Sequence, residues 1–150
     1  MPREHADIRL NAEELALFLA TQTRCILGTL DADAGPWGDA AACVFLDGAL
    51  YFRLPRKARS VANIQRDSRV CCAVEDNVTG AGYYEMKGAI VHGLATTVSD
   101  PAVAKRVSSA LDQIPDPVTD SPAVDGAVFS IGVDDVASFD FAKIKRRFEM

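Results

Sequence analysis

No apolar run in this 150-residue chain reaches the ~18–20 residues that a membrane-spanning helix needs, so no membrane partner is expected. The four cysteines, Cys25, Cys43, Cys71 and Cys72, never fall in a C-x-x-C spacing. Neighbouring strand residues face opposite ways, so Cys71 and Cys72 do not grip one ion together, and no metal site is expected. Buried free thiols in a reducing compartment account for all four. Positive charge is in deficit: 16 Lys and Arg stand against 21 Asp and Glu, a net charge of −5. Nucleic-acid binding needs a basic footprint and is not expected. There is no Ser-His-Asp pattern, no H-E-x-x-H and no phosphate-cradling Walker loop, so no catalytic set is built from side chains alone. The first ten residues, MPREHADIRL, lack a basic flank followed by an apolar stretch. No secretory signal is expected, and the cytoplasm is the expected location.

The composition, 49% hydrophobic and 25% charged, is that of one globular domain able to bury a core, spanning 1–150. Asn11 is a helix cap followed by Glu13 and Glu14 in the first turn, which predicts a helix from about Asn11 to Thr21. RCILGTLD is a strand, DADAGP a turn, and Trp37 to Leu46 a second strand. Asp47-Gly48 marks a hairpin into a third strand, ALYFRL. Val61 and Ile64, three apart after Pro55, predict a short helix. RVCCAVED is a fourth strand and YYEMKGAIVHGLATTV a long fifth, bent at Gly88 and Gly93. Asp100-Pro101 opens a helix bearing Val103, Val107 and Leu111. A proline-rich loop covers Ile114 to Ala123, and GAVFSIGV is a sixth strand that VASFDF continues. Six strands, short hairpins and few helices predict a mainly β (α+β) fold, a six-stranded antiparallel barrel with short flanking helices.

The charge is unevenly spread. Arg53, Arg56, Lys57, Arg59, Arg66 and Arg69 share one stretch with a single acid, Asp67, and Lys143, Lys145, Arg146 and Arg147 cluster near the C-terminus. A basic patch on an acidic protein points to a small anionic ligand, with a solvated helix face as the alternative. Gly38, Ala40, Ala41 and Ala42 are small for a barrel strand. They fit either a flat ring approaching the backbone or close packing against a helix or another subunit. His92 shares a strand face with Met86, Ile90 and Leu94, which suits a packed histidine better than a ligand or catalyst. Lys87 points the other way, either to an anionic ligand or to solvent. His5 lies in the terminal segment.

The stretches TRCILGTLDADAGPWGDAAACVFLDGALYFRL, RSVANIQRDSRVCCAVE and MKGAIVHGLATTVSD, in this order and spacing, resemble the FMN-binding split barrel family, the pyridoxamine phosphate oxidase-like superfamily. Asn63-Ile64, Gly93 and Ala95 fill its characteristic slots, and the resemblance runs from about residue 11 to 98. It implies a split barrel and a homodimer with the cofactor in a groove between subunits. It also implies that the phosphate sits where the third strand passes into the short helix, at Arg53, Leu54, Pro55, Arg56, Lys57, Ala58, Arg59 and Ser60. Guanidinium forks and helix N–H groups suit a phosphate there. The ring is expected along Trp37, Gly38, Asp39, Ala40, Ala41 and Ala42. Members commonly carry lysine where Ser60 stands, and proline and bulkier residues where Ala40 to Ala42 stand. Tail residues of members reach the partner's cofactor, which makes Phe139, Phe141, Lys143 and Arg146 candidates beside a simple hydrophobic closure. The expected activity is an oxidoreductase using FMN, or the deazaflavin coenzyme, on a small organic substrate. The alternative is a non-catalytic protein that stores or senses flavin, or holds haem.

Overall fold

A computed structural model of the chain describes residues 7–76, 82–115, 117–118 and 126–144. His5, Lys145, Arg146 and Arg147, and most of the loops after Asp76 and Pro115, lie outside the described residues. Helix α1 (Ala12–Ala20) is followed by strands β1 (Arg24–Leu30), β2 (Pro36–Leu46) and β3 (Ala49–Leu54). Then come α2 (Arg59–Arg66), β4 (Arg69–Asp76), a 3₁₀ turn (Tyr83–Glu85), β5 (Lys87–Leu94) and β6 (Thr96–Thr97). Helix α3 (Pro101–Leu111) leads to β7 (Ala127–Gly132) and β8 (Asp135–Asp140).

Local chemistry sets the element ends. Asn11 caps α1 through a reciprocal pair of bonds with Glu14, and Asp100 Oδ1 accepts from the first turn of α3 at 2.9 Å. Asp47 and Gly48 have φ of 50° and 81°, the two left-handed residues of a type I′ hairpin.

Eight antiparallel strands run in the order β6-β7-β3-β2-β1-β4-β5-β8, rather than six. The expected fifth strand divides. β4 pairs with β5 only as far as Arg69 and Leu94, Ala95 N–H then donates to Ser68 O at 2.8 Å, and Thr96–Thr97 go on to pair with β7. The chain thus steps from β5, next to one edge of the order, to β6 at the other, curling the sheet into a half-barrel. The break falls opposite the start of β4, not at the glycines. Nor does VASFDF prolong the sixth strand; it is β8, paired with β5.

Gly88 serves contact instead of bending. A Cβ there would lie 2.6 Å from the Phe139 ring and 3.0 Å from Val74 O. Gly88→Ala is therefore expected to destabilise the fold by about 1–3 kcal/mol, as overpacking does, in a urea melt. An unchanged midpoint would contradict this contact.

The main core fills the barrel with Leu27, Cys43, Leu50, Phe52, Cys72, Val91 and Ile131, capped by Phe18 and Leu19 of α1. A second cluster joins Ala42 to Val107, Leu111 and Ile114, where α3 covers the outside of β2 and β3. Cys25, Cys43 and Cys72 are buried and Cys71 is half-buried; all four are free thiols. The Cys25 hydrogen bond and burial push the Cys43 thiol far above the ordinary range.

Candidate functional site

Strand β1 is paired along its whole length with β2, which it covers from Pro36 to Ala42. With β3 it pairs only from Ala42 to Leu46, because β3 ends at Leu54 and the chain turns away at Pro55. The half of β2 before Ala42 thus has one edge uncovered by β3. The ladder fixes which groups lie on it. Cys43 N–H donates to Thr23 O at 3.0 Å, so alternate residues Ala41, Asp39 and Trp37 also bond toward β1. The N–H and C=O of Gly38 and Ala40 point the other way, into the open edge. A Cβ built on Gly38 would meet nothing within 4 Å, so its missing side chain is not demanded by packing within this chain.

The four small residues therefore divide. Ala41 lies in the main core and Ala42 packs under α3, whereas Gly38 is exposed and Ala40 half-buried.

Helix α2 closes one end of this notch. The Arg59 guanidinium lies 4.1 Å over the Trp37 ring, and Trp37 Nε1 donates to Asp39 Oδ2 at 3.0 Å. Arg59 Nε donates to Asp31 Oδ1 at 2.9 Å, and its Nη2 donates to Asp31 Oδ2. The turn holds Asp31 in place: Asp31 N–H donates to Gly35 O and Ala34 N–H to Asp31 O, both at 2.8 Å. Hydrogen bonding to Arg59 holds the Asp31 carboxyl below the usual carboxylate range. The fold thus joins the two separate sequence candidates, the start of β2 and the basic turn, through Arg59. Asp31 had no signal in the sequence beyond its place in a turn.

Other members of the basic stretch go elsewhere. Arg53 shares a face of β3 with Tyr51, opposite the core residues Phe52 and Leu54. Its side chain runs under α3, where Nη1 is ion-paired 2.8 Å from Asp112 Oδ1 and Nη2 donates to Ser108 O at 3.3 Å, while its buried Nε has no hydrogen-bond partner. Leu54 gives its side chain to the core, leaving only backbone for a ligand. Arg66 Nη2 donates to Leu30 O and to Asn63 Oδ1, and buried Asn63 donates to Thr29 Oγ1 at 3.1 Å. Arg69 pairs with Asp67. Lys57 is exposed. Arg56 lines a separate cavity of about 380 Å³ on the far side of α2, with Gln65, Thr97 and Ser108.

Ser60 is fully buried and its Oγ has no hydrogen-bond partner, so it does not offer a donor at the surface. An orphaned buried hydroxyl costs about 1–3 kcal/mol. Ser60→Ala is thus expected to raise the melting temperature by about 3 °C. A fall of that size would show that the hydroxyl has a partner.

The remaining candidates lie away from the notch. His92 is exposed on the outer face of β5, not packed as expected, opposite Cys71 and Asp135 in register. Half-buried Lys87 pairs in register with Asp140 of β8. Phe141 stacks on Tyr83 and lies tilted against Phe139 in an aromatic cluster, and Lys143 Nζ is 2.7 Å from Glu14 Oε1. Among the described residues no cluster of three or more His, Cys, Asp or Glu could hold a metal ion, and no helix is long and apolar enough to cross a membrane.

The family model of pyridoxamine 5'-phosphate oxidase matches residues 12–137. The chain belongs to the pyridoxamine 5'-phosphate oxidase family. Among solved structures, a conserved hypothetical protein from Mycobacterium tuberculosis superposes with a TM-score of 0.76 at 23% identity, covering 95% of this chain and 92% of that one. An FAD-binding protein from Mycobacterium smegmatis gives 0.65 at 16% identity, covering 88% and 98%. A haem-binding protein from the same organism gives 0.66 at 17%, covering 91% and 60%. No curated protein matches the sequence. The matches show that this pyridoxamine 5'-phosphate oxidase family member shares its fold with flavin-binding and haem-binding proteins, and the notch described above is what that fold leaves open here.

Proposed function

We propose that the chain holds a flavin-type cofactor in the notch and passes a hydride between it and a small organic substrate. The observation that carries this is the uncovered edge of β2. Gly38 and Ala40 present backbone donors and acceptors there beside an exposed guanidinium, with open space where a Gly38 side chain would be. An isoalloxazine ring carries donors and acceptors on its pyrimidine edge and needs flat, close access, which this strand edge supplies. A bound flavin provides the hydride chemistry; the protein binds and orients it. The phosphate lies toward Arg59 and Lys57 rather than Arg53.

The working form in this proposal is a homodimer. The outer face of β2, β1, β4, β5 and β8 carries a row in register: Ala40, Ile26, Ala73, Ile90 and Ala137. Ile26 is 57%, Ile90 38% and Leu94 60% exposed, unusual for a sheet face of small and branched residues. Ala40 belongs both to this row and to the notch edge. A second copy laid on the row therefore borders the cofactor site, which puts the cofactor between subunits.

Titrating the purified chain with FMN, FAD and the deazaflavin coenzyme, followed by the visible spectrum, tests the proposal. A micromolar or tighter complex with at least one of them is expected; no binding to any would end it. The notch offers no histidine as a proton donor among the described residues, which favours a second function, a flavin carrier without turnover. A complex that no reductant or acceptor turns over would decide for the carrier.

A further inference from the structure

Accepting that the notch is the cofactor site, its charges say which kind of phosphate it takes. The side-on edge of Arg59, Nε and one Nη2 proton, is occupied by Asp31. Its end-on protons remain for a ligand, and 53% of its side chain is exposed. Asp31 is only 16% exposed and both its carboxylate oxygens accept from Arg59, so it does not swing aside freely. Asp39 adds a second carboxylate, bonded to Trp37. Arg53 and Arg69 are paired with Asp112 and Asp67, and serine stands at position 60, fully buried, where a lysine would add a cation. A basic stretch that looks strongly positive in the sequence is thus mostly compensated in the fold.

A terminal phosphate monoester carries close to two negative charges above its second pKa of about 6. A phosphodiester carries one throughout this range. A fixed carboxylate beside the anchoring guanidinium repels the second charge of the monoester and has less to repel in the diester.

We propose that this site is built for a flavin-type cofactor whose phosphate is a diester, singly charged at each phosphorus, and discriminates against a terminal phosphate monoester. The deazaflavin coenzyme, a phosphodiester with one charge, meets that description, and FAD, a diester of diphosphate, meets it with one charge on each of two adjacent phosphorus atoms; FMN does not.

The clean test compares FMN with its phosphate monomethyl ester, which differ in one charge and one methyl group, by fluorescence quenching on the full chain. At pH 8 the ester is expected to bind at least fivefold more tightly. At pH 5.5, where most of the FMN phosphate has taken up one proton and become a monoanion, the two are expected to fall within twofold. The charged groups around the anchor are Asp31, Asp33, Asp39, Lys57, Arg59 and Arg66, with Arg56 on the far side of α2. None of these described groups is a histidine, so the change follows the ligand's own proton. Asp31→Asn is expected to narrow the pH 8 difference at least threefold, with its melting temperature recorded alongside. Parallel titrations with FAD and the deazaflavin coenzyme identify which diester is preferred. FMN binding as tightly as its ester at pH 8, or more tightly, overturns the inference and leaves the cofactor site standing. No binding by any of the four overturns the site itself.

Discussion

Gly38→Val is expected to abolish flavin binding, weakening it at least a hundredfold, while leaving the fold intact. The two halves of this expectation come from the same observation. A Cβ on Gly38 meets nothing within 4 Å, so the chain itself has room for valine. Valine also suits a strand better than glycine, by up to about 1 kcal/mol, so the melting temperature should hold or rise. The space it fills is the space through which a flat ring must reach the backbone of Gly38 and Ala40. Loss of binding with retained stability separates a ligand site from a packing site. Full binding by the variant would place the ring elsewhere. The contrast with Gly88 is direct: there Phe139 already occupies the position, and substitution costs stability instead.

Ile26→Glu combined with Ile90→Glu is expected to turn a dimer into a monomer and to weaken flavin binding more than tenfold. Both side chains lie in the exposed apolar row, and two charges per subunit buried there without partners are strongly unfavourable in an interface. The fold of each subunit should survive, since neither residue contributes to the main core. Light scattering reads the mass. Half-buried Cys71 faces the same surface beside Gly28, so in the dimer it should resist a thiol reagent and in the variant react. A variant that remains dimeric, or a wild type already monomeric at micromolar concentration, would remove the intersubunit placement of the cofactor.

Much of this architecture is legible in the residues. Asp47-Gly48 fixes the β2–β3 hairpin through local backbone preference, and Asn11, Asp100 and Pro101 fix helix starts through their own side chains and ring. Such signals are short-range, so a sequence carries them whole. The break at Ala95 is different. It is set by where β4 begins and by a bond to Ser68, twenty-seven residues earlier, and no neighbouring residue announces it. The fate of the basic stretch was similarly hidden. Alternation in ALYFRL shows that Arg53 lies opposite Phe52 and Leu54, but not that α3 would cover that face and supply Asp112. Arg59 lies next to Ser60 in sequence, yet its partner Asp31 and its stacking surface Trp37 come from the β1–β2 hairpin. That Arg59 stands in a basic stretch is therefore readable from the sequence, while the net charge of that stretch depends on pairings that only the fold makes.

The amide spectrum of uniformly ¹⁵N-labelled protein during titration with FAD and, separately, the deazaflavin coenzyme tests the placement most directly. The account predicts that the largest shifts fall on the backbone amides of Gly38 and Ala40 and on the Arg59 Nε–H signal, with Thr97, Ser108 and Val128 around the second cavity unmoved. Shifts centred on that cavity, with Gly38 and Ala40 silent at saturation, would contradict it.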